Sequence, residues 1–152
     1  MELKTGAAES TLDDKGRVNI PIRFRDYFQG KLFITRGMDK CAMIMTEAVC
    51  LNFQQAEMNS HALNQQEREA IKNKHLRLIV EVELDKAGRI AIPSNIRKYA
   101  NLTKDCLVIR DEDRLFIWDS DDFEAHLTET DELARAAMNK LGSQDIFRAG
   151  GM

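Results

Sequence analysis

Two copies of one short motif carry the residue types in this sequence that could bind a charged ligand. The first copy, LDDKGRVNIP, runs from Leu12 to Pro21, and the second, LDKAGRIAIP, runs from Leu84 to Pro93, 72 positions later. The aspartate of each copy can accept amide hydrogen bonds from the residues that follow it and so close a tight turn. The arginine carries a fork of N–H donors that matches guanine O6 and N7 or the oxygens of a phosphate. The motif is therefore a candidate for binding a nucleic-acid base or a phosphate.

A glycine in each motif predicts a hairpin that presents this arginine. Gly16 and Gly88 can take the positive φ that a hairpin loop of about three to five residues requires. After each glycine the side chains alternate between two faces, because successive residues of a strand point to opposite sides. We therefore expect Arg17 and Arg89 on the face that points away from the core. The positions expected to be buried are Val18, Ile20, Ile90 and Ile92.

An ion pair within each motif is the alternative explanation of the same residues. Asp13 and Arg17 could pair across their own turn, as could Asp85 and Arg89, and a surface pair of this kind is worth about 0–1 kcal/mol. A duplicated fold duplicates its turns as well. The repeat by itself therefore discriminates only weakly between turn formation and ligand binding, and the local distribution of charge discriminates better.

The charge of the chain is acidic overall but basic around the first motif. The 152 residues contain 22 Lys and Arg against 25 Asp and Glu, a net charge of −3, which argues against a generic nucleic-acid binder. From Lys15 to Arg36, however, Asp26 is the only acid, and the acidic excess lies in the second half of the chain. One concentrated basic face suits a nucleic-acid ligand at that face. The bases of this stretch are Lys15, Arg17, Arg23, Arg25, Lys31 and Arg36.

The two motifs stand near the start of two similar halves of a mixed α+β chain. Each half is predicted to contain a strand, the hairpin turn, a second strand, a short helical segment after the proline, two more strands and a helix. The turns between the later strands are expected at 37–40 and 111–114. The helices that follow should begin with N-caps at Thr46 and Ser120.

The repeat divides the chain into four predicted segments. They are a first repeat at 1–52, connecting helices at 53–77, a second repeat at 78–124, and a C-terminal helix with a loose tail at 125–152. Asn64, followed three residues later by Glu67, predicts a capping box at the start of a connecting helix. Thr130 is expected to cap the C-terminal helix and Gly142 to end it.

The composition disfavours several classes of protein. The chain starts without the basic and apolar pattern of a signal peptide, and no apolar run approaches the ~20 residues that span a bilayer. Its three cysteines lie far apart without Cys-x-x-Cys spacing, which is typical of reduced thiols in a cytosol. The common nucleotide-binding, metalloprotease and hydrolase motifs are missing from the sequence. We therefore expect a cytoplasmic protein that is not an enzyme and that uses no metal, cofactor, membrane or small-molecule ligand.

The doubled Asp-x-x-x-Arg motif and its flanks resemble the MraZ family of bacterial transcriptional regulators, which are built from two tandem SpoVT–AbrB-like repeats. Further matches are FITRGMDKC from Phe33 to Cys41, IRKYANLTKD from Ile96 to Asp105 and FIWD from Phe116 to Asp119. The resemblance implies a pseudo-twofold, swapped-hairpin AbrB-like double-split β-barrel with additional helices. It also implies a ring-like homo-oligomer that binds double-stranded DNA at short tandem promoter repeats. These repeats would lie upstream of the cell-division and cell-wall gene cluster, and occupying them would repress transcription.

The same resemblance places the DNA-binding surface on the two hairpins. Carried over to this chain, its residues are Asp13, Lys15, Gly16, Arg17, Asp85, Lys86, Gly88 and Arg89. Arg23 and Arg25 follow the first motif and fit phosphate contacts and internal ion pairs equally well. Because Ala87 stands where the first hairpin has Lys15, the first hairpin is expected to be the stronger DNA reader. The alternatives are an AbrB-fold module that binds a protein partner, as an antitoxin does, and a small enzyme, which the residues favour least.

Overall fold

A computed structural model describes residues 3–149 of the chain, which fall into two compact units. The first unit ends at Ser120 and holds both motifs, and the second starts at Asp121. The strands of the first unit are β1 (Thr5–Thr11), β2 (Arg17–Asn19), β3 (Leu32–Arg36), β4 (Ala42–Thr46), β5 (Val80–Val82), β6 (Arg89–Ala91), β7 (Asp105–Asp111) and β8 (Arg114–Asp119). The helices are α1 (Ile22–Arg25), α2 (Glu47–Asn59), α3 (Gln65–Lys74), α4 (Ser94–Tyr99), α5 (Ser120–Lys140) and α6 (Ser143–Ile146), with a 3₁₀ turn at Leu76–Leu78.

The two halves of the first unit exchange strands. β1 pairs antiparallel with β7 of the second repeat, from Thr5 opposite Asp111 to Thr11 opposite Asp105, and β5 pairs with β3 of the first repeat. The resulting sheet has the order β1-β7-β8-β4-β3-β5, and β2 pairs with β6 in a separate two-stranded ladder. The α+β class expected from the sequence is confirmed, but the strands form a six-stranded sheet and a ladder rather than a closed barrel.

The strands on either side of the first Asp-x-x-Gly-Arg turn separate almost at once. A single bridge, Leu12 opposite Val18, joins the two arms before β1 runs to β7 and β2 runs to β6. The sequence predicted a hairpin whose arms pair with each other, and they do so only beside the turn. The reason is that Val18 pairs with Ile90 of the other repeat, where both side chains are fully buried. Burial of one such side chain is worth about 1.5–3 kcal/mol, more than one additional ladder hydrogen bond contributes.

A hydrophobic core is shared by the ladder, the sheet and the short helices α1 and α4. The four positions expected to be buried beside the motifs are all buried, with at most 2% of each side chain exposed. Phe24 of α1 and Ile96 of α4 join them, one from each repeat. A second cluster, built on Met43, Met45 and Cys50, packs β4 against α2. Both repeats therefore contribute apolar side chains to one shared core.

Sequence signals correctly located the starts of α2 and α3. Thr46 caps α2 by accepting the N–H of Val49 at 3.4 Å, and Asn64 and Glu67 form the expected capping box at α3. The turns that join β3 to β4 and β7 to β8 also lie where the sequence placed them, within one residue at each end. Each of these features depends on donors and acceptors a few residues apart, which is why a local pattern could reveal it.

The second unit departs from the prediction. A separate helix capped by Thr130 was expected, but α5 is continuous from Ser120, and the Thr130 hydroxyl donates to the His126 carbonyl inside it at 2.9 Å. The prediction was wrong because no glycine or proline between Ser120 and Lys140 interrupts the helix. Gly142 ends this helical stretch with φ 66°, as predicted. The expected loose tail begins with α6, and its residues 150–152 lie outside the described residues.

Candidate nucleic-acid interface

The first motif forms a hairpin loop that is closed by its own aspartate. One oxygen of the Asp13 carboxylate accepts the backbone N–H groups of Lys15 and Arg17, both at 2.9 Å, and the other accepts Nε–H of Arg17 at 2.7 Å. The backbone N–H of Gly16 donates to the Asp13 carbonyl at 3.0 Å, and Gly16 has the expected positive φ of 78°. The carboxylate therefore fixes both the loop and the arginine beside it.

The second motif repeats this geometry. The Asp85 carboxylate accepts the backbone N–H groups of Ala87 and Arg89 and also Nε–H of Arg89, each at 2.9 Å, and Gly88 has φ 80°. The ion pair that the sequence offered as an alternative explanation is thus present in both motifs. The hydrogen bond within each pair is donated by Nε of the arginine rather than by its Nη groups. Turn formation and ligand binding are therefore compatible roles of the same residue.

Both carboxylates are held in their charged form at neutral pH. The backbone N–H of Arg17 is the main cause that lowers the pKa of Asp13 below its ordinary value of 3.8, and the Arg17 side chain and the Lys15 N–H add to it. The backbone N–H of Arg89 likewise lowers the pKa of Asp85. Each arginine of the motif therefore faces a full counter-charge at physiological pH, which restrains its orientation.

The ladder of β2 and β6 brings the two motifs onto one surface. Its central pair is Val18 opposite Ile90, so Arg17 and Arg89 lie diagonally on the two strands, related by a pseudo-twofold axis through that pair. Nη1 of Arg89 lies 3.9 Å from the Asp13 carboxylate of the other motif. The Arg17 and Arg89 side chains are 29% and 34% exposed. We call this outer face the arginine ladder, and it consists of Arg17, Asn19, Arg89 and Ala91.

Two further arginines pack against the turn of the opposite motif. A Cβ atom on Gly88 would lie 2.2 Å from Cζ of Arg25, and one on Gly16 would lie 1.3 Å from Nη1 of Arg97. Glycine is therefore favoured at both positions for two reasons: the arginine leaves no room for a Cβ atom, and the backbone has a positive φ. Arg25 is held in place by donating from Nε to the Ile20 carbonyl at 2.7 Å. Sequence reasoning missed Arg97, although its match to Arg25 in the repeat was an available signal.

The structure tests one of the two roles left open for Arg23 and Arg25, the formation of internal ion pairs. Neither forms an ion pair with a carboxylate among residues 3–149. Arg23 instead donates from Nη2 to the Ala7 carbonyl, and Arg25 donates from Nη2 to the Asn19 side chain at 3.1 Å. Of the two roles left open, internal ion pairs are therefore not formed among these residues, because the neighbouring elements present carbonyls and an amide rather than acids.

A family model matches the tandem arrangement of these two motifs. The model described as "MraZ protein, putative antitoxin-like" matches residues 3–74 and 77–142, with one motif in each stretch. The chain belongs to the MraZ family. The resemblance drawn from the motifs is confirmed, and this family is one of regulators rather than of enzymes.

The charges within the two loops of this MraZ chain do not by themselves favour the first hairpin, which the sequence led us to expect as the stronger DNA reader. Lys15 does correspond to Ala87, but Asp14 precedes Lys15, and Lys86 occupies the position equivalent to Asp14. Counted from the aspartate to the arginine, the first motif carries two acids and two bases, whereas the second carries one acid and two bases. The second loop is the more positive, so the charge argument for preferring the first hairpin was incomplete.

An open groove of about 520 Å³ lies between the first hairpin and α4 of the MraZ chain. Asp13 and Asp14 line it from the hairpin, and Arg97 and Lys98 line it from the helix. Its walls therefore carry both signs of charge. The groove shows that α4 sets two bases beside the first hairpin, close to the arginine ladder.

The three cysteine side chains of this MraZ chain are shielded from water. Cys41, Cys50 and Cys106 are buried, and burial raises the pKa of Cys41 to about 12 and that of Cys106 to about 11. These two thiols are therefore protonated at neutral pH, where the thiolate is the reactive form. Residues 3–149 contain no group of three or more His, Cys, Asp or Glu side chains placed to hold a metal ion. Among the same residues, no helix combines the length and apolar composition that crossing a bilayer requires.

Proposed function

We propose that this MraZ-family chain is a sequence-specific, DNA-binding transcriptional regulator that acts as a repressor. The arginine ladder carries the proposal, since it sets Arg17 and Arg89 on one exposed face of a two-stranded ribbon. The major groove of B-DNA admits such a ribbon, and an arginine fork there can grip guanine O6 and N7. Asp13 and Asp85 orient the two forks before DNA arrives, so less conformational freedom is lost on binding.

The other basic side chains in and near the hairpins would contact the DNA backbone or support the hairpins. Lys15 and Lys86 lie exposed at the two loop tips, where they can neutralise phosphates on either side of the groove. Arg23, exposed beside β1, is a further phosphate contact. Arg25 supports the second hairpin through Gly88 and would act on DNA through that hairpin. In this division, phosphate contacts set the register and the arginine ladder reads the bases.

The mechanism requires assembly but no catalysis. We extend the proposal to a ring-like homo-oligomer of subunits with the swapped-hairpin, AbrB-like double-split barrel, acting at tandem promoter repeats of the cell-division and cell-wall gene cluster in the nucleoid. The strand exchange of β1 with β7 and of β5 with β3 supports the swapped arrangement, and membership of the MraZ family supports the regulatory role. Several hairpins on evenly spaced repeats gain affinity through effective concentration, and an occupied promoter excludes polymerase.

Removal of Arg17 tests this function. In an anisotropy titration of the full chain on duplex promoter repeats, Arg17→Ala should weaken binding by about 1–3 kcal/mol for each contacting subunit. Binding by the unaltered chain should also weaken steeply as salt is raised, because counterions are released on binding. Arg135→Ala is the matched control, since Arg135 forms an ion pair of the same spacing with Asp131, at 3.0 Å, in α5. Wild-type affinity in the Arg17 variant would place the DNA surface elsewhere.

Arg89→Ala in the same titration measures the share of the second hairpin. The loop charges favour a loss at least as large as that of Arg17→Ala, because the Arg89 loop carries one fewer acid. A smaller loss would restore the first hairpin as the main reader. A loss for Arg135→Ala as well would mean that general charge, rather than the arginine ladder, controls binding.

The description of the family model favours one second candidate, an antitoxin-like module that binds a protein partner. The same arginine ladder would then meet an acidic protein surface instead of DNA. A partner chain that co-purifies with the full protein, together with the absence of salt-sensitive DNA binding, would support this alternative and overturn the proposed function.

A further inference from the structure

A tyrosine from each repeat stacks against an arginine from the other repeat. Cζ of Arg36, the last residue of β3, lies 5.0 Å from the Tyr99 ring centroid, and Cζ of Arg110, near the end of β7, lies 4.6 Å from that of Tyr27. Tyr27 and Tyr99 are themselves 72 positions apart, like the residues of the two motifs. The two stacks are therefore a matched pair within one chain, and a difference between them is informative.

The stack at Tyr27 is balanced in charge. The Tyr27 hydroxyl donates to the Asp113 carboxylate at 2.6 Å, and this hydrogen bond is the main cause that raises the pKa of Tyr27 above its ordinary value. Arg110 is 6% exposed and donates from Nε to the Glu112 carbonyl at 2.9 Å. The stack thus contains one cation and an acid that is hydrogen-bonded to the hydroxyl of the same ring, and the buried Nε donor of Arg110 has an acceptor.

The stack at Tyr99 contains two cations, and among the described residues neither forms an ion pair with a carboxylate. Nζ of Lys74 lies 5.6 Å from the same ring centroid as Arg36, and the Tyr99 hydroxyl lies within hydrogen-bonding distance of two backbone carbonyls. No carboxylate of residues 3–149 lies within 4.0 Å of a nitrogen of Arg36 or Lys74. Nε of Arg36 is buried, and within the described residues it has no hydrogen-bond partner. Among the same residues, Arg110 has no carboxylate within 4.0 Å either, but its stack carries Asp113 on the tyrosine hydroxyl. The two half-buried positive charges at Tyr99 instead share a ring whose hydroxyl contacts uncharged carbonyls.

Resting on the DNA-binding function proposed above, we propose that Arg36, Lys74 and Tyr99 form an anion site that takes a phosphate of the DNA backbone. A phosphodiester supplies a negative charge and accepts hydrogen bonds from a guanidinium and an ammonium together. Tyr99 belongs to α4, which also carries Arg97 against the first hairpin and Lys98 in the adjoining groove. The basic side chains of Arg97 and Lys98 on this helix therefore lie between the site at Tyr99 and the first hairpin.

The two tyrosines provide the first test. They are the only tyrosines in the sequence, so full-length protein containing 3-fluorotyrosine gives two ¹⁹F NMR signals. Titration with inorganic phosphate at constant ionic strength should shift the Tyr99 signal and leave that of Tyr27 unchanged. Lys74→Gln should abolish the shift and Lys74→Arg should retain it, which a purely structural role of the lysine would not produce. No shift at Tyr99 overturns the anion site.

The second test distinguishes DNA phosphate from free phosphate. On duplex promoter repeats, Lys74→Gln should weaken binding a few-fold and make the slope of log K against log salt shallower by about 1. Lys140→Gln, which removes the same charge from α5, is the control and should bind as the unaltered chain does. A phosphate-dependent ¹⁹F shift with unchanged DNA affinity would identify a site for free phosphate and overturn the DNA contact. If the unaltered chain binds no DNA, the proposed function fails, while the ¹⁹F titration still decides whether the anion site exists.

Discussion

The arginine of each motif shows how one residue can serve a turn and a ligand at once. The sequence left a surface ion pair and a nucleic-acid contact as alternatives, and the structure contains the ion pair in both motifs. The five residues of the motif were enough to predict this geometry, since every donor and acceptor lies inside them. They could not show Arg25 and Arg97 behind the turns, because each comes from the other repeat. Hydrogen bonds within a motif can be predicted from its residues, whereas the side chains that pack against it from the other repeat cannot be predicted from those residues alone.

Gly88→Ala is expected to destabilise the chain by more than its backbone strain alone. An alanine at φ 80° costs about 1–2 kcal/mol, and Arg25 must also move and give up its hydrogen bond to the Ile20 carbonyl, worth about 0.5–1.5 kcal/mol. Gly30→Ala is the matched control, because Gly30 has φ 74° but no atom within 4 Å of an added Cβ. Urea unfolding of both variants measures the difference. Equal losses of unfolding free energy in the two variants would show that moving Arg25 does not destabilise the chain.

Whole elements were predictable where their limits are set locally. The caps of α2 and α3 follow from side chains that reach a backbone group a few residues away, and the turn after β3 is closed by backbone hydrogen bonds within it. The partners of β1, β2 and β5 were not predictable, because alternation shows which face of a strand is buried but not which strand lies beside it. The continuous α5 was missed for a different reason: Thr130 is a good cap, yet nothing before it stops the helix.

The hairpin turns should lose stability in acid with a defined sign. Hydrogen bonds lower the folded-state pKa of Asp13 and Asp85 below 3.8, so their contribution is complete above that pH and is lost as the pH falls through the folded-state values. A variant with Asp13→Asn and Asp85→Asn keeps a side-chain acceptor and removes the charge. Its urea midpoint should therefore lie below that of the unaltered chain at pH 5–7 and approach it below about pH 4. A gap as wide at pH 3 as at pH 6 would show that the charge is not what stabilises the turns.

At the scale of the whole molecule, the repeats are halves of one folding unit. The family model matches two separate stretches, but β1 of the first is held by β7 of the second, and the core draws on both. The duplicated motifs by themselves suggested two similar modules, whereas the long-range pairing shows that the two are interlocked. The interlocking also explains the arginine ladder, since two arginines far apart in sequence reach one surface because Val18 and Ile90 form the central pair of the ladder.

Assembly is the property on which the proposed function depends most. Large apolar side chains are exposed in both units, including Ile22 at 76%, Met58 at 69%, Leu133 at 72% and Phe147 at 77%. Burying such side chains between subunits is favourable at about 25 cal/mol per Å² before the costs of association are deducted. We therefore expect light scattering to give a mass well above twice the 17.4 kDa of one chain. A monomer at micromolar concentration would contradict both the ring and the gain from tandem sites.

The same assembly should be visible in DNA affinity. Duplexes with one, two and four promoter repeats present the same base contacts, so a monomeric reader binds each repeat with one affinity. An oligomer binds the second repeat at an effective concentration in the millimolar range, which raises the affinity by about 10²–10⁴ without any new contact. The gain should vanish when the spacing between repeats is changed so that neighbouring hairpins cannot reach both. Affinity that is independent of repeat number, in a chain that scatters light as an oligomer, would mean that the subunits assemble for a purpose other than reading tandem DNA.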